Sequence, residues 1–564
     1  MNYTFQRDPD PADPEVNAYK YSQIYSSFSI APAPMISLVL TLGGLCLTKF
    51  LFPPVWAQGD FDWSTIEPTS RLSPISTVLH TDISSTRLKV PIDYSNEGGE
   101  KAALAVIKLS AQSEIEYKGA VLINPGGPGG SGVSTLTILG QQLASIIGNQ
   151  YDIISFDPRG VGNSTPRAEF FPSKEEHYQW LASTNHFTSA VNTTSDQIPH
   201  LWASAQVIAE LAKETDNGIL NYISTDNVAR DMLQISEAAG QEKLQYWGFS
   251  YGTALGATFA TMFPDKVERI ILDGVLDMDG YYSGDWRNEI TDTDKDMESF
   301  FDGCVAAGPD ACAFYASTAK EISNNLDSLY ESLLTQPVPV ISPSFYGVVD
   351  YAVLRTAVKN ALYEPYTLFS ILAEGLASLA AGNGTIIYAM QATVYDPSAA
   401  YDNSWEAEIA VSCSDALNNT DSVADLFAYW DSIKGISTFA DFLIEQRIQC
   451  SGWKFHREGR FTGPVGGNTS YPILLIGNTA DPVTPLSAAK KTSSAFPGSV
   501  VLTQNSSGHT SAFASSECTH AYVQAYFQNG TLPKDGTVCE VESEMFPTSS
   551  NATGSQRRYF WGRK

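Results

Sequence analysis

The sequence predicts an α/β fold in which a mostly parallel sheet is flanked by helices and interrupted by an inserted, mainly helical cap. From about residue 70, short apolar runs that end in Gly, Asn or Asp alternate with helix-like stretches. This alternation is typical of buried parallel strands joined by helices. Between Asp277 and roughly Asn468 the strand pattern stops and helical patterns prevail. We therefore expect a sheet domain in two parts, residues 58–276 and 469–544, with a cap over residues 277–468.

Seven apolar runs are expected to form strands of the sheet. In chain order they are AALAVIKLSA, GAVLINPGG, YDIISFDPRG, LQYWGFSYG, VERIILDGV, YPILLIGNTADP and SVVLTQNSSGH. Five stretches of the cap region are expected to be helices: DTDKDMESFFDGCVAAG, TAKEISNNLDSLYESLL, DYAVLRTAVKNALY, YTLFSILAEGLASLAAG and SVADLFAYWDSIKG. The polar stretch 545–564 carries four basic residues and is expected to be a disordered tail.

Length, composition and charge limit the classes of protein to which the chain can belong. The 564 residues suit one large α/β domain with a substantial insertion. A content of 43% hydrophobic and 17% charged residues is that of a folded globular protein. The net charge of -28 argues against a nucleic-acid partner, because a phosphate-binding surface needs an excess of Lys and Arg.

The N-terminal region differs from the rest of the chain. Residues 1–34 are polar, acidic and rich in Pro and Tyr, which predicts disorder. Residues 35–57 contain an uncharged apolar run, Met35 to Leu47, followed by Val55-Trp56-Ala57. The run has the length of the apolar part of a signal peptide, with a small-residue cleavage site after it. Either Met35 is the true start and the segment is cleaved, or the segment is an uncleaved signal anchor. A third alternative, an apolar helix packed on the domain, is disfavoured because prolines at 32, 34, 53 and 54 bracket the segment. The first two alternatives place the following domain on the lumenal or outer side of a membrane.

Six cysteines follow the apolar segment, and their even number suggests disulfides. The simplest pairing is sequential: Cys304 with Cys312, Cys413 with Cys450, and Cys518 with Cys539. The alternative is six buried free thiols. The spacings do not fit a CxxC zinc pattern, so no metal site is expected.

The sequon N-x-S/T points to the same compartment as the cysteines. It occurs eight times beyond residue 57, and five of these sites are our glycosylation candidates: Asn192, Asn383, Asn418, Asn468 and Asn529. Sequons and paired cysteines together favour the secretory route, with a product that is either secreted or membrane-anchored.

The pentapeptide Gly248-Phe249-Ser250-Tyr251-Gly252 is a G-x-S-x-G motif in an informative context. A predicted strand precedes it and a helix of small residues, TALGATFATMF, follows it. This is the arrangement of a nucleophile elbow, in which a strained turn holds the serine above the sheet. Ser250 is therefore our candidate nucleophile, and the alternative is an ordinary Gly-Ser turn.

A serine hydroxyl needs a base, and in this type of fold the chain order is serine, acid, histidine. Three histidines follow Ser250: His456, His509 and His520. His509 lies just past the last predicted strand in NSSGHTS, where a loop can deliver its ring. His456 falls near the end of the cap and His520 in a probable helix, so we expect His509 to be the base.

The acid is expected at the end of the preceding strand. Asp481 occupies that place in LLIGNTADP, where it can hold the histidine tautomer and stabilise the imidazolium. Asp273 in IILDG also ends a strand and is the alternative, but a role as a loop cap fits it better.

Acyl transfer also needs backbone N–H groups that stabilise the oxyanion. One is expected from Tyr251, directly after the nucleophile. The glycine loop NPGGPGGSG is the expected source of the second, from Gly127 with Gly126 as the alternative, because glycines let the backbone approach a substrate closely. A phosphate-binding loop is disfavoured, since the segment lacks the GK[ST] ending and the spacing of a dinucleotide fingerprint.

With these residues identified, the chain resembles the α/β-hydrolase branch of prolyl and tripeptidyl aminopeptidases, specifically the secreted tripeptidyl-aminopeptidase-like group with its TAP-like C-terminal segment. The resemblance covers roughly residues 85 to 542. It is carried by VPIDY, NPGGPGGSG, FDPRGVGNS, STDNVARDM, WGFSYGTALG, NTADPVTP and the C-terminal stretch GHTS…ECTHAYVQAYFQNGTLPKDGTVC.

The resemblance implies an α/β-hydrolase fold and a catalytic triad of Ser250, Asp481 and His509. It further implies an oxyanion hole at Tyr251 and Gly127, and a Cys518–Cys539 bridge. The activity that it implies is release of short peptides or single residues from free N-termini, without a metal or organic cofactor.

Three functions are compatible with these residues. The first is a serine exopeptidase acting through an acyl-enzyme, with a short peptide as the substrate. The second is a carboxylesterase or lactonase that uses the same triad on a small ester or amide, since fold and triad do not set the substrate. The third is a non-catalytic binding protein on a hydrolase scaffold, which the presence of all three triad residues disfavours.

Overall fold

The computed structural model describes residues 62–547, apart from 73–82, 114–115, 185–190, 192–193, 195, 344 and 392–398. The predictions for residues 1–34 and 35–57, for Asn192 and for the chain beyond residue 547 lie outside this part. Among the described residues, no helix has both the length and the apolar character needed to cross a membrane.

The core of the molecule is a nine-stranded sheet with the strand order β1-β2-β4-β3-β5-β6-β9-β10-β11. The strands of the chain are β1 (Ile83–Pro91), β2 (Lys101–Leu109), β3 (Ala120–Asn124), β4 (Asp152–Phe156), β5 (Leu244–Phe249), β6 (Val267–Asp273), β7 (Val338–Ile341), β8 (Tyr346–Val349), β9 (Leu474–Ala480), β10 (Val500–Ser507) and β11 (Val538–Glu540). β2 pairs antiparallel with β1 and with β4, and the remaining neighbours in the sheet run parallel. All seven predicted strands are present, and the sheet gains β1 and β11.

Sixteen α-helices lie in the described part of the chain. They are α1 (Gly132–Ile147), α2 (Lys174–Thr184), α3 (Gln197–Thr215), α4 (Thr225–Ala238), α5 (Tyr251–Met262), α6 (Met278–Ser283), α7 (Thr293–Ala307), α8 (Ala319–Thr335), α9 (Tyr351–Tyr363), α10 (Pro365–Ala380), α11 (Thr385–Gln391), α12 (Ser404–Asp415), α13 (Val423–Ile433), α14 (Ala440–Cys450), α15 (Leu486–Ala495) and α16 (Glu517–Asn529). The α/β-hydrolase architecture of a mostly parallel sheet with flanking helices is therefore confirmed.

The two faces of the sheet bury alternate residues of its strands. Leu104 and Val106 of β2 belong to a core cluster that includes residues of α4 and α5, whereas Ala105 and Ile107 belong to a cluster with residues of α1 and α16. Successive side chains of a strand point to opposite faces, and both faces of this sheet are covered. For this reason its parallel strands are nearly continuous apolar runs.

The region between β6 and β9 contains two differently packed parts. The helices α7 to α11 share a core of their own, which includes Phe300, Leu354 and Phe369. The helices α12 to α14 contribute instead to the main core beside the sheet, through residues such as Ile409 and Leu443. All five predicted cap helices are present, and a small antiparallel pair, β7 and β8, is added to them.

The ordered chain continues slightly beyond the expected boundary at residue 544. Phe546 is buried in the core of α7 to α11, with its ring centroid 5.7 Å from that of Phe300, and Met545 packs beside it. Hydrophobic contact therefore extends the folded part to the start of the stretch that was expected to be disordered.

The structure forms three disulfides, Cys304–Cys312, Cys413–Cys450 and Cys518–Cys539, and these are the sequential pairs. The second of them ties the C-terminal end of α12 to that of α14. Four of the candidate sequon asparagines, Asn383, Asn418, Asn468 and Asn529, are exposed on the surface. That they carry glycans stays a prediction.

Candidate active site

Ser250 lies between β5 and α5 in a sharply turned backbone, with φ 56° and ψ −126°. A positive φ is strained for a residue with a side chain and is found chiefly where function requires it. The flanking glycines are needed for space. A Cβ at Gly248 would lie 2.6 Å from Tyr246 Oη, and a Cβ at Gly252 would lie 2.8 Å from Asn124 O. The local geometry is that of the nucleophile elbow that the motif predicted.

Asp481 and His509 are hydrogen-bonded to each other at the ends of neighbouring strands. Asp481 directly follows β9, and His509 comes two residues after β10. The His509 Nδ1 atom lies 3.0 Å from Asp481 Oδ1 and 3.1 Å from Oδ2. The carboxyl ends of parallel strands meet at one edge of the sheet, so this contact follows from the strand order.

Backbone amides hold the carboxylate of Asp481 in place. The side chain is fully buried, and Oδ1 accepts hydrogen bonds from the N–H groups of Val483 at 3.0 Å and Thr484 at 2.8 Å. Oδ2 accepts one from Thr510 N–H at 2.9 Å. Burial acts to raise the pKa of Asp481, but the charge of His509 and these hydrogen bonds outweigh it and lower the pKa. Asp481 is therefore ionised at neutral pH.

The loop of His509 and the elbow of Ser250 are joined through the end of β6. Ser250 N–H donates to Asp273 O at 3.0 Å, and a Cβ at Gly274 would lie 2.7 Å from Thr510 Cγ2. Thr510 has a φ of 64°, and it shares positive φ only with Ser250 among the described non-glycine residues. No hydrogen bond joins Ser250 to His509 in the described part of the chain. Such bonds are often long in an unliganded enzyme and tighten only with substrate.

Asp273, the alternative acid, does not contact His509. Its carboxylate accepts hydrogen bonds from Ser511 N–H at 2.8 Å, from Ser511 Oγ at 2.5 Å and from Trp247 Nε1 at 3.3 Å. Burial raises the pKa of Asp273 to about 6. The structure thus gives Asp273 the role of a loop cap, as the sequence favoured.

Two further residues contact His509 that sequence reasoning did not identify. Thr484 Oγ1 lies 3.1 Å from His509 Nδ1, beside the bond to Asp481. The main-chain oxygen of Tyr363, at the end of α9, accepts His509 N–H at 3.0 Å, and the two rings meet edge to face with centroids 5.3 Å apart. Thr484 stands in the same DPVTP segment as Asp481, whereas no sequence signal marks Tyr363.

The glycine loop lies directly against the elbow. A Cβ at Gly126 would be 2.5 Å from Phe249 O, 2.8 Å from Ser250 Cβ and 3.0 Å from Tyr251 N, so this position must be glycine. The Gly126 N–H already donates to Asn124 Oδ1 at 3.0 Å. Tyr251 is the first residue of α5, where a backbone N–H has no partner within the helix. These contacts favour Gly127 over Gly126 as the second donor.

The other two histidines after Ser250 lie elsewhere. His520 is on α16 and lines a small cavity of about 20 Å³ with Leu139 and Trp247. His456 follows α14 in the chain, and burial lowers its pKa. Neither of these histidines contacts Asp481.

Three buried carboxyl groups make the stability of the fold sensitive to pH. Burial raises the pKa of Asp273 to about 6, of Asp415 to about 7 and of Glu406 to about 8. Each binds its proton more tightly in the folded state than in the unfolded chain, whose carboxyl groups have pKa values of about 4. Raising the pH from about 5 to 8 therefore lowers the free energy of unfolding, at about 1.4 kcal/mol per unit of pKa shift.

We expect a decrease of several kcal/mol between pH 5 and pH 8, measured by urea denaturation with the disulfides intact. The variants Asp273→Asn and Glu406→Gln are neutral at every pH and should each flatten this dependence. A pH dependence that is the same in both variants as in the wild type would contradict the assignment of raised pKa values.

Comparison with known proteins agrees with the fold. A family model described as alpha/beta hydrolase fold matches residues 119–329, and one described as TAP-like protein matches residues 436–539. The chain is 29% identical over 472 residues to Serine protease Hip1 of Mycobacterium tuberculosis (strain H37Rv). The aligned region covers 80% of this chain and 86% of that protein.

Two other similar proteins have different names. Tripeptidyl aminopeptidase of Streptomyces lividans is 27% identical over 484 residues, covering 80% of this chain and 82% of that protein. Carboxylesterase B of M. tuberculosis (strain H37Rv) is 28% identical over 460 residues, covering 80% and 85%. With the serine elbow on this sheet, these likenesses make the protein a serine hydrolase. The chain has the α/β-hydrolase fold, and its C-terminal part matches the TAP-like model.

Proposed function

We propose that the protein is a serine peptidase that cleaves peptide bonds near free N-termini, with Ser250, His509 and Asp481 as its catalytic triad. Because His509 Nδ1 faces Asp481, Nε2 is the nitrogen available to take a proton from Ser250 Oγ. The freed oxygen attacks the carbonyl carbon of the scissile bond. The negative charge on the carbonyl oxygen is stabilised by the N–H groups of Tyr251 and Gly127.

The remaining steps use the same groups. As the tetrahedral intermediate collapses, His509 donates its proton to the leaving amine and an acyl-enzyme forms on Ser250. A water molecule, deprotonated by His509, then attacks the ester and releases the acyl product. Asp481 stays ionised throughout and stabilises the imidazolium form of His509.

Two carboxylates of the inserted region support a substrate with a free amine. Burial raises the pKa of Tyr363, which contacts His509, and the charges of Glu408, Asp481 and Glu289 raise it further. The backbone of Glu408 also packs on the glycine loop, since a Cβ at Gly129 would lie 3.0 Å from Glu408 N. Glu408 is on α12, and Glu289 is in a short 3₁₀ turn after α6. The hydrogen-bonded pair of Asp481 and His509 beside the serine elbow is the observation that carries the proposal, and the two glutamates are the candidate groups for binding the amine.

Glu289 in particular suits a cationic ligand. Burial, and then the charge of Asp277, raise the pKa of Glu289 well above its ordinary value. An ammonium group bound nearby would stabilise its charged form, because an opposite charge within a few ångströms favours ionisation. A peptide with a free N-terminus supplies that cation within a few residues of the bond to be cleaved. The relative named Tripeptidyl aminopeptidase agrees with this substrate class.

We expect Glu408→Gln and Glu289→Gln each to lower kcat/KM for a free-amine tripeptide anilide by about tenfold or more, because a hydrogen bond to a charged group contributes about 1.5–3 kcal/mol. The same variants should cleave simple aryl esters at the wild-type rate. Both classes of substrate are assayed on wild type and variants, with N-blocked anilides as a third set. Glu374→Gln, an exposed residue of α10, is the matched control and should change neither rate.

The panel also separates the peptidase from the esterase. Cleavage of free-amine peptides, lost on N-blocking, supports the proposal. Ester cleavage with every peptide untouched would overturn it and favour a small-molecule hydrolase, as the similarity to Carboxylesterase B would suggest.

A further inference from the structure

The C-terminal end of α12 holds a buried carboxylate behind the nucleophile elbow. Asp415 is 1% exposed and accepts three hydrogen bonds. Thr225 N–H donates to Oδ1 at 2.9 Å, while Thr225 Oγ1 at 2.5 Å and Tyr281 Oη at 2.7 Å donate to Oδ2. The carboxylate thus has acceptor contacts on both oxygens and fixes the hydroxyl proton of Thr225.

This proton placement gives the network a direction. Burial raises the pKa of Asp415 to about 7, so its carboxylate is mostly ionised above that pH. In the ionised form the hydroxyl of Thr225 donates to Asp415, and the 2.5 Å contact between Thr225 Oγ1 and Tyr251 Oη has the tyrosine as its donor. Tyr251 is the residue directly after Ser250, and its backbone N–H is the proposed first oxyanion donor. Its side chain is 3% exposed and also packs on Tyr281, with ring centroids 5.9 Å apart. Asp415 therefore fixes Tyr251 through Thr225.

The N-terminal end of the same helix contacts the glycine loop. A Cβ at Gly129 would overlap Ser404 O and lie 3.0 Å from Glu408 N, so the loop packs on the first turn of α12 without an intervening side chain. Asn403, the residue before the helix, donates to Gly160 O at 2.8 Å and to Ala168 O at 2.9 Å. One end of α12 is thereby fixed to the sheet domain and supports the loop that contains Gly127.

The other end of α12 is held as firmly. The Cys413–Cys450 disulfide joins it to α14, and Trp453 Nε1 donates to Ser414 Oγ at 2.9 Å. A helix of 12 residues is a rigid rod of about 18 Å. Its two ends therefore keep a constant separation. One end contacts the glycine loop directly, and the other reaches Tyr251 through Thr225.

We propose that α12 aligns the two halves of the oxyanion hole, and that Asp415 is a positioning residue which sets the Tyr251 amide through the hydroxyl of Thr225. The inference rests on the proposed acyl-transfer function of Ser250. It adds a role for the inserted region beyond substrate recognition: the helix that bears Glu408 also determines whether the oxyanion is stabilised. Preorganised donors are effective only when they are already aimed at the developing charge.

The test removes the two hydroxyls that link Asp415 to Tyr251, and in a third variant the charge of Asp415, with little change of side-chain shape. Thr225→Val and Tyr251→Phe keep the Tyr251 backbone N–H but break its anchor, and Asp415→Asn removes the charged acceptor. The measurement is saturation kinetics of Ser250 labelling by a fluorophosphonate, whose phosphoryl oxygen occupies the oxyanion hole, together with kcat and KM on an aryl ester. We expect the limiting labelling rate and kcat to fall by about tenfold or more, because a misplaced oxyanion donor stabilises the transition state less. The half-saturation constant and KM should stay within about twofold of wild type.

The chain offers a matched control that involves α5, the helix that begins at Tyr251. Thr258 Oγ1 and Tyr282 Oη form an equally buried 2.5 Å hydrogen bond that does not involve the elbow. Thr258→Val and Tyr282→Phe should lower the melting temperature comparably but leave the limiting rates unchanged. Thr225→Ser, which retains the hydroxyl, should restore most of the rate lost in Thr225→Val.

The outcomes separate this inference from the proposed function. Wild-type limiting rates in folded Thr225→Val and Tyr251→Phe, or equal losses in the control pair, would overturn the positioning role while Ser250-dependent labelling still supports the hydrolase. A folded wild-type protein without Ser250-dependent labelling would overturn the proposed function, and this inference with it.

Discussion

Replacing Ser250 with alanine is expected to lower kcat by about 10⁶-fold, because removal of the nucleophile of a serine triad leaves only binding and oxyanion stabilisation. The substitution deletes a single oxygen. Alanine has the same Cβ as serine, so the strained backbone at φ 56° and its hydrogen bond to Asp273 O are retained. The loss is measured as kcat on an aryl ester and on a free-amine anilide, with unchanged circular dichroism and melting temperature as evidence of folding.

Ser145→Ala, at an exposed serine of α1, is the control and should keep the wild-type kcat. A Ser250→Ala protein that retains more than about 1% of the activity would show that another group attacks the substrate. It would also remove the basis for assigning Tyr251 and Gly127 to an oxyanion hole.

The strands beside the site could be predicted because they are buried on both faces. AVLIN, LQYWGF and LLIGNTA are nearly continuous apolar runs, and the structure buries almost all of their residues. β1 was missed because its sequence ISSTRLKVP mixes polar and charged residues with few apolar ones. Even its Arg87 is mostly buried, so burial there does not follow polarity. β11, with three residues, is too short to give a pattern.

The helix α12 illustrates why the inserted region was only partly predictable. The five helices predicted there have apolar residues at helical spacing, which indicates one buried side. α12 has the sequence SWEAEIAVSCSD, and the structure buries its polar Glu406, Ser412 and Asp415 along with its apolar residues. Asp415, for example, is buried with hydrogen bonds from Thr225 and Tyr281, which are distant in the sequence, so the helix shows no amphipathic pattern. Its position could be learned only from the fold.

The residues of the site also fall into those that the sequence predicts and those that it does not. Ser250, Asp481 and His509 could be placed from the sequence because each follows a recognisable strand, and chain order assigns the roles. Tyr363 and Asp415 could not, because they reach the site through tertiary packing of the inserted region. The local sequence of neither residue differs from that of an ordinary helix end.

Asp481→Asn is expected to lower kcat by about 10⁴-fold, the cost of a triad in which the histidine tautomer is no longer fixed. The amide can donate to His509 Nδ1, which would place the proton on Nε2 and leave it unable to accept from Ser250. In the wild type, the carboxylate accepts backbone N–H groups on both oxygens. The NH₂ group of the asparagine would therefore face the N–H groups of Val483 and Thr484 in one orientation and that of Thr510 in the other. We therefore expect a lower melting temperature too, and kcat is measured per active site titrated.

Asp273→Asn is the informative control, because Asp273 is an equally buried carboxylate at the end of the neighbouring strand β6. It contacts Ser511 and Trp247 instead of His509, so its replacement should change stability while kcat stays within a few-fold of wild type. If Asp273→Asn instead lost as much kcat as Asp481→Asn, proximity of a negative charge would matter more than the direct bond to Nδ1. We expect the opposite, because Asp481 is hydrogen-bonded to His509 Nδ1 at 3.0 Å and fixes its tautomer. Asp273 has no such bond and cannot replace it.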